Sequence, residues 1–443
     1  MVNEAKQKPP RRYEKMRDSG VAWIGMVPEG WTSFLLGQLV KQVKNKNVLL
    51  QERNLLSLSY GKIKRKDIET AEGLVPASYD GYNIIEKGDI VLRLTDLQND
   101  HTSLRVGLAT ERGIITSAYL TLRPLNSVFP AFLYYALHTF DVRKGFYGMG
   151  AGVRQGLKYD EIRQIKVVLP ALIEQHTIAN FLDKKCSEID AIIADAKASI
   201  EEYKAWKASI IYEAVTKGLD PHAEMKDSGV EWIGEIPEEW YVCKTLFVLQ
   251  MPITDGPHTT PELYAAGVPF VSAEAVSCGN GRIDFNHIRG YISEGFYQEC
   301  CKKYIPQKDD IYMIKSGATT GKVAIVDVDT KFTIWSPLAA FRVNPKKVLP
   351  RYLFYFLQSP AYQKQVELGW SFGTQQNIGM RTLEKLKICV PPLSVQQEII
   401  RYLDEKSNKL DAIIKEKTDL ISDLESYKKS LIYEVVTGKR RVC

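Results

Sequence analysis

The sequence predicts an α+β protein with a pseudo-twofold internal repeat, in which two similar mixed α/β blocks alternate with two long coiled-coil helices. The first observation behind this is duplication. Met16-Arg17-Asp18-Ser19-Gly20-Val21-Ala22-Trp23-Ile24-Gly25 returns as Met225-Lys226-Asp227-Ser228-Gly229-Val230-Glu231-Trp232-Ile233-Gly234, and each copy runs on through Pro-Glu to a tryptophan, Trp31 and Trp240. The second is a constant register later in the chain. Phe181-Leu182-Asp183 returns as Tyr402-Leu403-Asp404, Asp190-Ala191-Ile192-Ile193 as Asp411-Ala412-Ile413-Ile414, and Ser209-Ile210-Ile211-Tyr212-Glu213 as Ser430-Leu431-Ile432-Tyr433-Glu434, each 221 residues on. The third is a long 4-3 apolar spacing within each later segment. A chain built as two similar halves suits a ligand, or partners, that also come in two halves.

The helices are signalled over about 173–216 and 395–437, each after a proline stop, Pro170 and Pro391-Pro392. In the first, Leu182, Cys186, Ile189, Ile193, Ala196, Ile200, Tyr203, Lys207, Ile210 and Ala214 alternate four and three residues apart. In the second, Leu403, Ser407, Leu410, Ile414, Lys417, Ile421, Leu424, Lys428, Leu431 and Val435 repeat that register. Ordinary amphipathic helices drift from a strict heptad within a few turns, so the pattern reads as a coiled-coil seam. The polar breaks Lys207 and Lys428 fall at the same step and are candidates for fixing the pairing register. From Leu182 to Ala214, at about 1.5 Å per residue, the seam would run roughly 48 Å.

The blocks between, about 16–170 and 225–390, are rich in short strand signals: Gly88–Leu94, Ile114–Leu122 and Lys322–Val326. Each also carries an aromatic helix after a proline, Pro130–Leu137 and Pro350–Leu357, at a similar place in its half. The two blocks are therefore expected to share a fold. Outside these features they diverge while the long helices barely do, the pattern of a constant scaffold carrying two different readers.

Composition narrows the class. At 443 residues the chain is too long for one ordinary core, and roughly two to four domains are expected. A net charge of +6 permits a nucleic-acid partner without demanding one. No run approaches the roughly 18 apolar residues of a membrane span, and the basic N-terminus lacks a signal peptide's apolar core, so a cytoplasmic location is expected. The seven cysteines, at 186, 243, 278, 300, 301, 389 and 443, include no Cys-x-x-Cys, and the six histidines no His-x-x-x-His. Reduced thiols and no metal or other cofactor are expected.

Several enzyme signatures fail when tested. Ser316-Gly317-Ala318-Thr319-Thr320-Gly321-Lys322-Val323 resembles a phosphate loop, but only three residues separate its glycines and Val323 stands where a Ser/Thr must hold magnesium. Glu224-Met225-Lys226 has nuclease-like spacing, but Asp220 lies in the same short linker rather than on a paired strand. An amino-methyltransferase would show Asn/Asp-Pro-Pro-aromatic, whereas Pro391-Pro392 stands between Val390 and Leu393. The chain reads as non-catalytic.

The duplicated Asp-Ser-Gly-Val-x-Trp-Ile-Gly-x-x-Pro-x-x-Trp opening resembles the specificity (S) subunits of type I restriction–modification systems. So do the run from Leu172 to Asp183 and its partner from Leu393. The resemblance covers all but the first fifteen or so residues. It implies target-recognition domains over 16–170 and 225–390, each reading one half of a bipartite, asymmetric site on double-stranded DNA. It also implies a central helix region (171–220) and a distal one (391–443), packed antiparallel to separate the domains and set the unread spacer. Methyltransferase (M) subunits, two of them, would dock on the repeated scaffold, joined by restriction (R) subunits that carry ATP-dependent cleavage. One turn of DNA is about 34 Å, so a rod near 48 Å would place two readers at successive major-groove faces.

Candidate DNA contacts fall in several segments. Thr254-Asp255-Gly256-Pro257-His258-Thr259 matches a motif frequent in these recognition domains; base contact and a structural turn are both compatible with it. Thr374, Gln375, Gln376 and Asn377 offer amide side chains that pair with adenine, and the corresponding loop of the first block offers Arg154 for guanine and Gln155. Gln155 and Gln376 are equivalent in the repeat, and structural or phosphate-binding roles also suit them. Ser59, Tyr60, Lys62 and Lys64 form a basic, glycine-bearing segment suited to phosphate or to solvent. Lys315 and Lys322 flank the failed phosphate loop, and Arg93, Arg105 and Arg123 lie in or near strands, where an internal acid is the alternative partner. The terminal basic clusters, including Lys439, Arg440 and Arg441, are expected to be flexible tails. Two other functions are open at this level: a diverged methyltransferase, and a coiled-coil adapter whose blocks grip proteins.

Overall fold

The computed structural model describes residues 12–69, 78–97, 104–149, 156–372 and 376–442. It divides into two compact units, Met1–Ala196 with Asp419–Cys443, and Lys197–Thr418. The central helix, Leu172–Thr216, and the distal helix, Leu393–Val436, each contribute to both units. Each unit thus pairs the beginning of one helix with the end of the other, as antiparallel partners do. Among the described residues no helix is long and apolar enough to cross a membrane.

In the first unit a four-stranded antiparallel sheet runs in the order Val40–Gln42, Leu120–Pro124, Ile90–Leu92, Val106–Leu108. Ile90, Val91 and Leu92 are fully buried, so this middle strand is covered on both faces and reads as an apolar run rather than an alternation. The helix Pro130–Val142 starts on its proline and buries Phe132, Leu133, Ala136 and Leu137, each worth about 1.5–3 kcal/mol if as large as Leu or Phe. Thr32–Leu35 pairs with Lys166–Leu169, closing the block on itself just before the central helix. The expected strand over Ile114–Leu122 is two strands, Gly113–Ile115 and Leu120–Pro124. Between them the Thr116 hydroxyl accepts from Ala118 N at 3.3 Å and Tyr119 N donates to Thr116 O at 3.1 Å, a side-chain-assisted turn that hydrophobic alternation does not reveal.

The second unit repeats this plan. Its sheet runs Thr254–Asp255, Leu338–Phe341, Ile311–Ile314, Val323–Ile325, all antiparallel, with the helix Pro350–Gln358 beside it. Tyr241–Lys244 pairs with Lys387–Val390 as the closing strands. A three-stranded sheet of Tyr291–Ile292, Val268–Val271 and Thr333–Ile334 lies beside the four-stranded one, and in the first unit Asn83–Ile85 pairs with Gly113–Ile115, with Leu55 bridging Ile114 in parallel as Phe270 does Thr333.

The same polar devices hold both blocks, as the shared fold requires. Gln175, buried at the start of the central helix, accepts from Phe129 N and donates to Pro170 O; Gln396 does the same with Leu349 N and Pro391 O. Asp89 takes Arg123 through two bonds of 2.7 Å, and Asp310 takes Arg342 through bonds of 2.8 and 2.7 Å. Arg123 therefore has the internal acid that was its alternative partner.

Every seam position on both helices is buried or half-buried. This covers Leu182, Ile189, Ile193, Ile421, Leu424 and Leu431 in the first unit, and Ile200, Ile210, Leu403, Leu410 and Ile414 in the second. The polar breaks find acids: Lys428 Nζ lies 2.6 Å from Asp190 in the first unit, and Lys207 Nζ lies 2.7 Å from Asp411 in the second. Asp190 and Asp411 are equivalent under the 221-residue offset, as are Lys207 and Lys428, so each half-buried pair is the repeat-image of the other.

The basic end of the chain is not a loose tail. Lys439 donates to Ile24 O at 2.6 Å and lies over the Tyr433 ring, while Gly438, at φ +69°, sits so close to Pro28 that a Cβ there would stand 2.2 Å from its Cδ. The apolar floor beneath it, with Trp31 nearby, anchors a segment whose composition alone suggests solvent.

Candidate nucleic-acid interface

In the second unit the tertiary fold gathers candidate segments spread over more than a hundred residues. Thr254 and Asp255 pair with Ala340 and Ala339 at one edge of the sheet. The next strand but one ends at Ile314, so Lys315 leaves the sheet beside them, its N–H donating to Pro337 O at 2.8 Å. Lys315 O then accepts from Ile378 N at 2.9 Å, Ser316 bridges Asn377, and Gly317 N donates to Gln376 O at 3.0 Å. The Thr254 turn, the Lys315 segment and the Gln376-Asn377 strand thus form one continuous polar edge.

Asp255 organises it from below. The side chain is 1% exposed, yet Lys303 donates to it and Lys315 and His258 lie 3.3 and 3.2 Å from Oδ2. Burial alone would raise this carboxyl, but Lys303, with Lys315 behind it, overcomes that and holds it below its ordinary value. Asp255 therefore sits beneath the surface as a fixed anion that orients His258 and two lysines. Gly256 is buried too, and a Cβ there would stand 1.8 Å from Ile334 O, so the turn needs glycine to pass this backbone. What faces outward is His258 (side chain 71% exposed), Thr259, Lys322, Gln376 and Asn377.

The Ser316–Lys322 segment is a hairpin connection rather than a phosphate cradle. Gly317 and Gly321 adopt φ of +100° and +94°, Gly321 N donates to Ile314 O, and Val323 opens a strand where a phosphate loop would open a helix. Lys303 escaped the sequence reading. It lies 48 residues from Asp255, in no motif, and only the fold brings the two together.

In the first unit Leu56–Ser59 and Lys62–Arg65 form a hairpin whose two-residue turn, Tyr60 and Gly61, takes φ of +47° and +75°. Tyr60 is 78% exposed, and Lys62 and Lys64 are exposed beside it, while Ser59 is half-buried. A Cβ on Gly107 would meet Leu58 and Ile63, so the hairpin lies directly on the Val106–Leu108 strand. Arg93 is half-buried.

Arg105 turns inward. It is fully buried, its guanidinium donating to Arg93 O, Thr95 O, Asp96 O and Tyr147 Oη at 2.8 to 3.3 Å, and its N–H to Asp141 at 2.6 Å. Its reach is spent on the carbonyls of the 93–96 loop, so it holds that loop from within instead of extending to a ligand. Arg154, Gln155, Thr374 and Gln375 lie outside the described residues.

Comparison with known proteins agrees with this architecture. A family model described as "Type I restriction modification DNA specificity domain" matches residues 28–202 and 262–422. The MjaVIII specificity subunit of a type I restriction enzyme from Methanocaldococcus jannaschii is 25% identical over 437 residues, covering 94% of each chain. The putative MjaX specificity subunit of the same organism is 26% identical over 435 residues, covering 95% of this chain and 96% of that one. A solved structure described as the basis of "complex assembly and conformational transition of the type I R-M system" shares the fold, with a TM-score of 0.64 at 16% identity over 93% of this chain and 98% of that one. With two matches that together span most of its length, the chain belongs to the type I restriction–modification DNA specificity family.

Proposed function

We propose that this protein is the non-catalytic DNA-recognition subunit of a type I restriction–modification enzyme. Each of its two blocks reads one half of a bipartite site. The observation that carries the reading is the pairing of a repeated framework with unlike edges. Gln175 and Gln396, and the Asp89–Arg123 and Asp310–Arg342 pairs, recur almost unchanged. By contrast, Asp255 with its lysines and the Gln376-Asn377 strand line the Thr254–Asp255 edge of one sheet, while the Tyr60 hairpin lies on the opposite edge strand, Val106–Leu108, of the other, beside a buried Arg105. The proposed domains are residues 16–170 and 225–390. The paired helices, regions 171–220 and 391–443, set the spacer and dock two methyltransferase subunits, to which restriction subunits join.

Outward-facing lysines such as Lys64 and Lys322 supply phosphate contact, which sets affinity, whereas Lys62 Nζ lies 3.6 Å from Asp190 and is shared with that acid. Gln376, Asn377 and His258, all exposed, supply base contact, which sets sequence. Purified with its cognate methyltransferase subunit, the protein should bind one bipartite sequence, with weaker, salt-sensitive binding elsewhere. Methylome sequencing of cells with and without the gene should show one bipartite motif lost. Binding indifferent to sequence in that complex would defeat the proposal.

A further inference from the structure

The Val40–Gln42 edge of the first unit's sheet leads into a turn that occupies the place of the Thr254 turn in the second. Val43 N donates to Thr121 O at 2.9 Å in the first sheet, and Thr254 pairs with Ala340 in the second. Thr121 and Ala340 each stand two residues before the arginine, Arg123 or Arg342, that the shared buried aspartate holds. Val43 thus takes the position of Thr254, and residues 44–49 follow it as 255–260 follow Thr254.

The first turn ends in an apolar tip. Val48 and Leu49 are 54% and 85% exposed, and Leu49 is the most exposed large apolar residue among those described. Leu49 and Leu50 both take left-handed φ, +58° and +51°, a conformation that residues other than glycine rarely adopt and that persists only where the surroundings impose it. Asn47 imposes it. Fully buried, it donates from Nδ2 to Glu52 O at 3.0 Å and accepts from Glu52 N at 2.9 Å through Oδ1, closing the loop at its base. A buried side chain is thus committed to holding an apolar tip out in water, an unfavourable arrangement unless something covers the tip.

The charge around it says what. The stretch 41–53 holds four cations, Lys41, Lys44, Lys46 and Arg53, all exposed, and one acid, Glu52, which lies 3.0 Å from Arg112. An apolar tip among cations suits the major groove of DNA, where phosphates rim the base edges and the thymine methyl group is the apolar feature.

We propose that this tip reads a thymine in the half-site of the first block, with Leu49 packed on the C5-methyl group. The inference rests on the DNA-reading function proposed above, and it gives the first block a base-reading element where the second has His258.

The test uses the complex with the cognate methyltransferase subunit and the duplex that methylome sequencing defines, each thymine of both half-sites being replaced in turn by uracil, which lacks only the methyl group. Uracil at one position of one half-site should weaken binding by about fourfold, the effect of one buried methyl group. In Leu49→Ala that response should vanish, while the salt slope and the Tm of the free protein stay unchanged. Leu49→Gly, which accepts the left-handed φ, should lose the response in the same way without a lower Tm. A complex with no bipartite preference at all would sink the DNA-reading function and this inference with it. Where that preference is present, the absence of any uracil-sensitive position, or a response undiminished in Leu49→Ala, would overturn this inference alone. So would loss of methyltransferase binding in Leu49→Ala, which would make the tip a protein-docking surface.

Discussion

The Lys207–Asp411 pair offers a measurable test of how the helix seam is held. Its side chains are 18% and 27% exposed, and Nζ lies 2.7 Å from both carboxylate oxygens. Fully exposed pairs contribute about 0.2–1 kcal/mol, whereas breaking a fully buried one costs about 3–5 kcal/mol. At this intermediate burial we expect a coupling of about 1.5 kcal/mol, on the order of tenfold in the folding equilibrium. In a unit of roughly 200 residues that is a shift of about 3–6 °C. The assay is a double-mutant cycle of Lys207→Ala, Asp411→Ala and the double variant, followed by urea unfolding. The repeat-image, Asp190–Lys428, is an internal control: at 39% and 25% exposure it should couple more weakly. A charge exchange, Lys207→Asp with Asp411→Lys, should recover most of the stability lost by either change alone. A coupling within about 0.3–0.5 kcal/mol of zero, the range of independent sites, would refute the idea that the pair fixes the seam.

Other expectations follow from the sheet edges. Gly256→Ala should lower the thermal midpoint of the second unit sharply, by more than about 3 kcal/mol, because the added Cβ meets Ile334 O at 1.8 Å and backbone must move; an unchanged midpoint would show that the turn relaxes freely. Arg105→Leu should cost about 3–5 kcal/mol and raise amide exchange over residues 93–97, since three carbonyls lose their donors at once. Asp255 has a folded pKa below its unfolded value of about 3.9, so its contribution is complete above that pH and disappears as pH falls through the lower folded value. Asp255→Asn should therefore flatten the acid limb of the stability curve while costing stability at neutral pH. On the proposed function, Lys322→Ala should weaken cognate and non-cognate DNA alike and reduce the salt slope by about 0.9, while Gln376→Ala should relax sequence preference at unchanged slope.

Much of the scaffold was legible because its signals are local. The 4-3 spacing and the two proline stops gave both long helices to within about two residues, since heptad periodicity and helix initiation depend on neighbours a turn away. Duplication made the shared fold of the two blocks readable even where their sequences diverge. The candidate site was legible only in part. Thr254–Thr259 and Gln376-Asn377 stood out as turn and amide chemistry, but polar composition cannot say which side of a surface a group occupies. So Asp255 and Arg105, candidates for DNA contact with a structural turn and an internal acid as the respective alternatives, lie buried and hold their loops from within. The Thr116 turn was hidden for a related reason, because one side-chain hydrogen bond outweighs a period-two pattern.

By itself the sequence determined the repeat, the seam and its period, and the family resemblance, all properties carried by residues close in the chain or aligned by a fixed offset. Tertiary structure decided which charges meet. Lys207 finds Asp411 across 204 residues and Lys428 finds Asp190 across 238. Lys303 and Lys315 converge on Asp255. Such pairings depend on distance and burial in three dimensions, and Coulomb energy and desolvation take no account of separation along the chain.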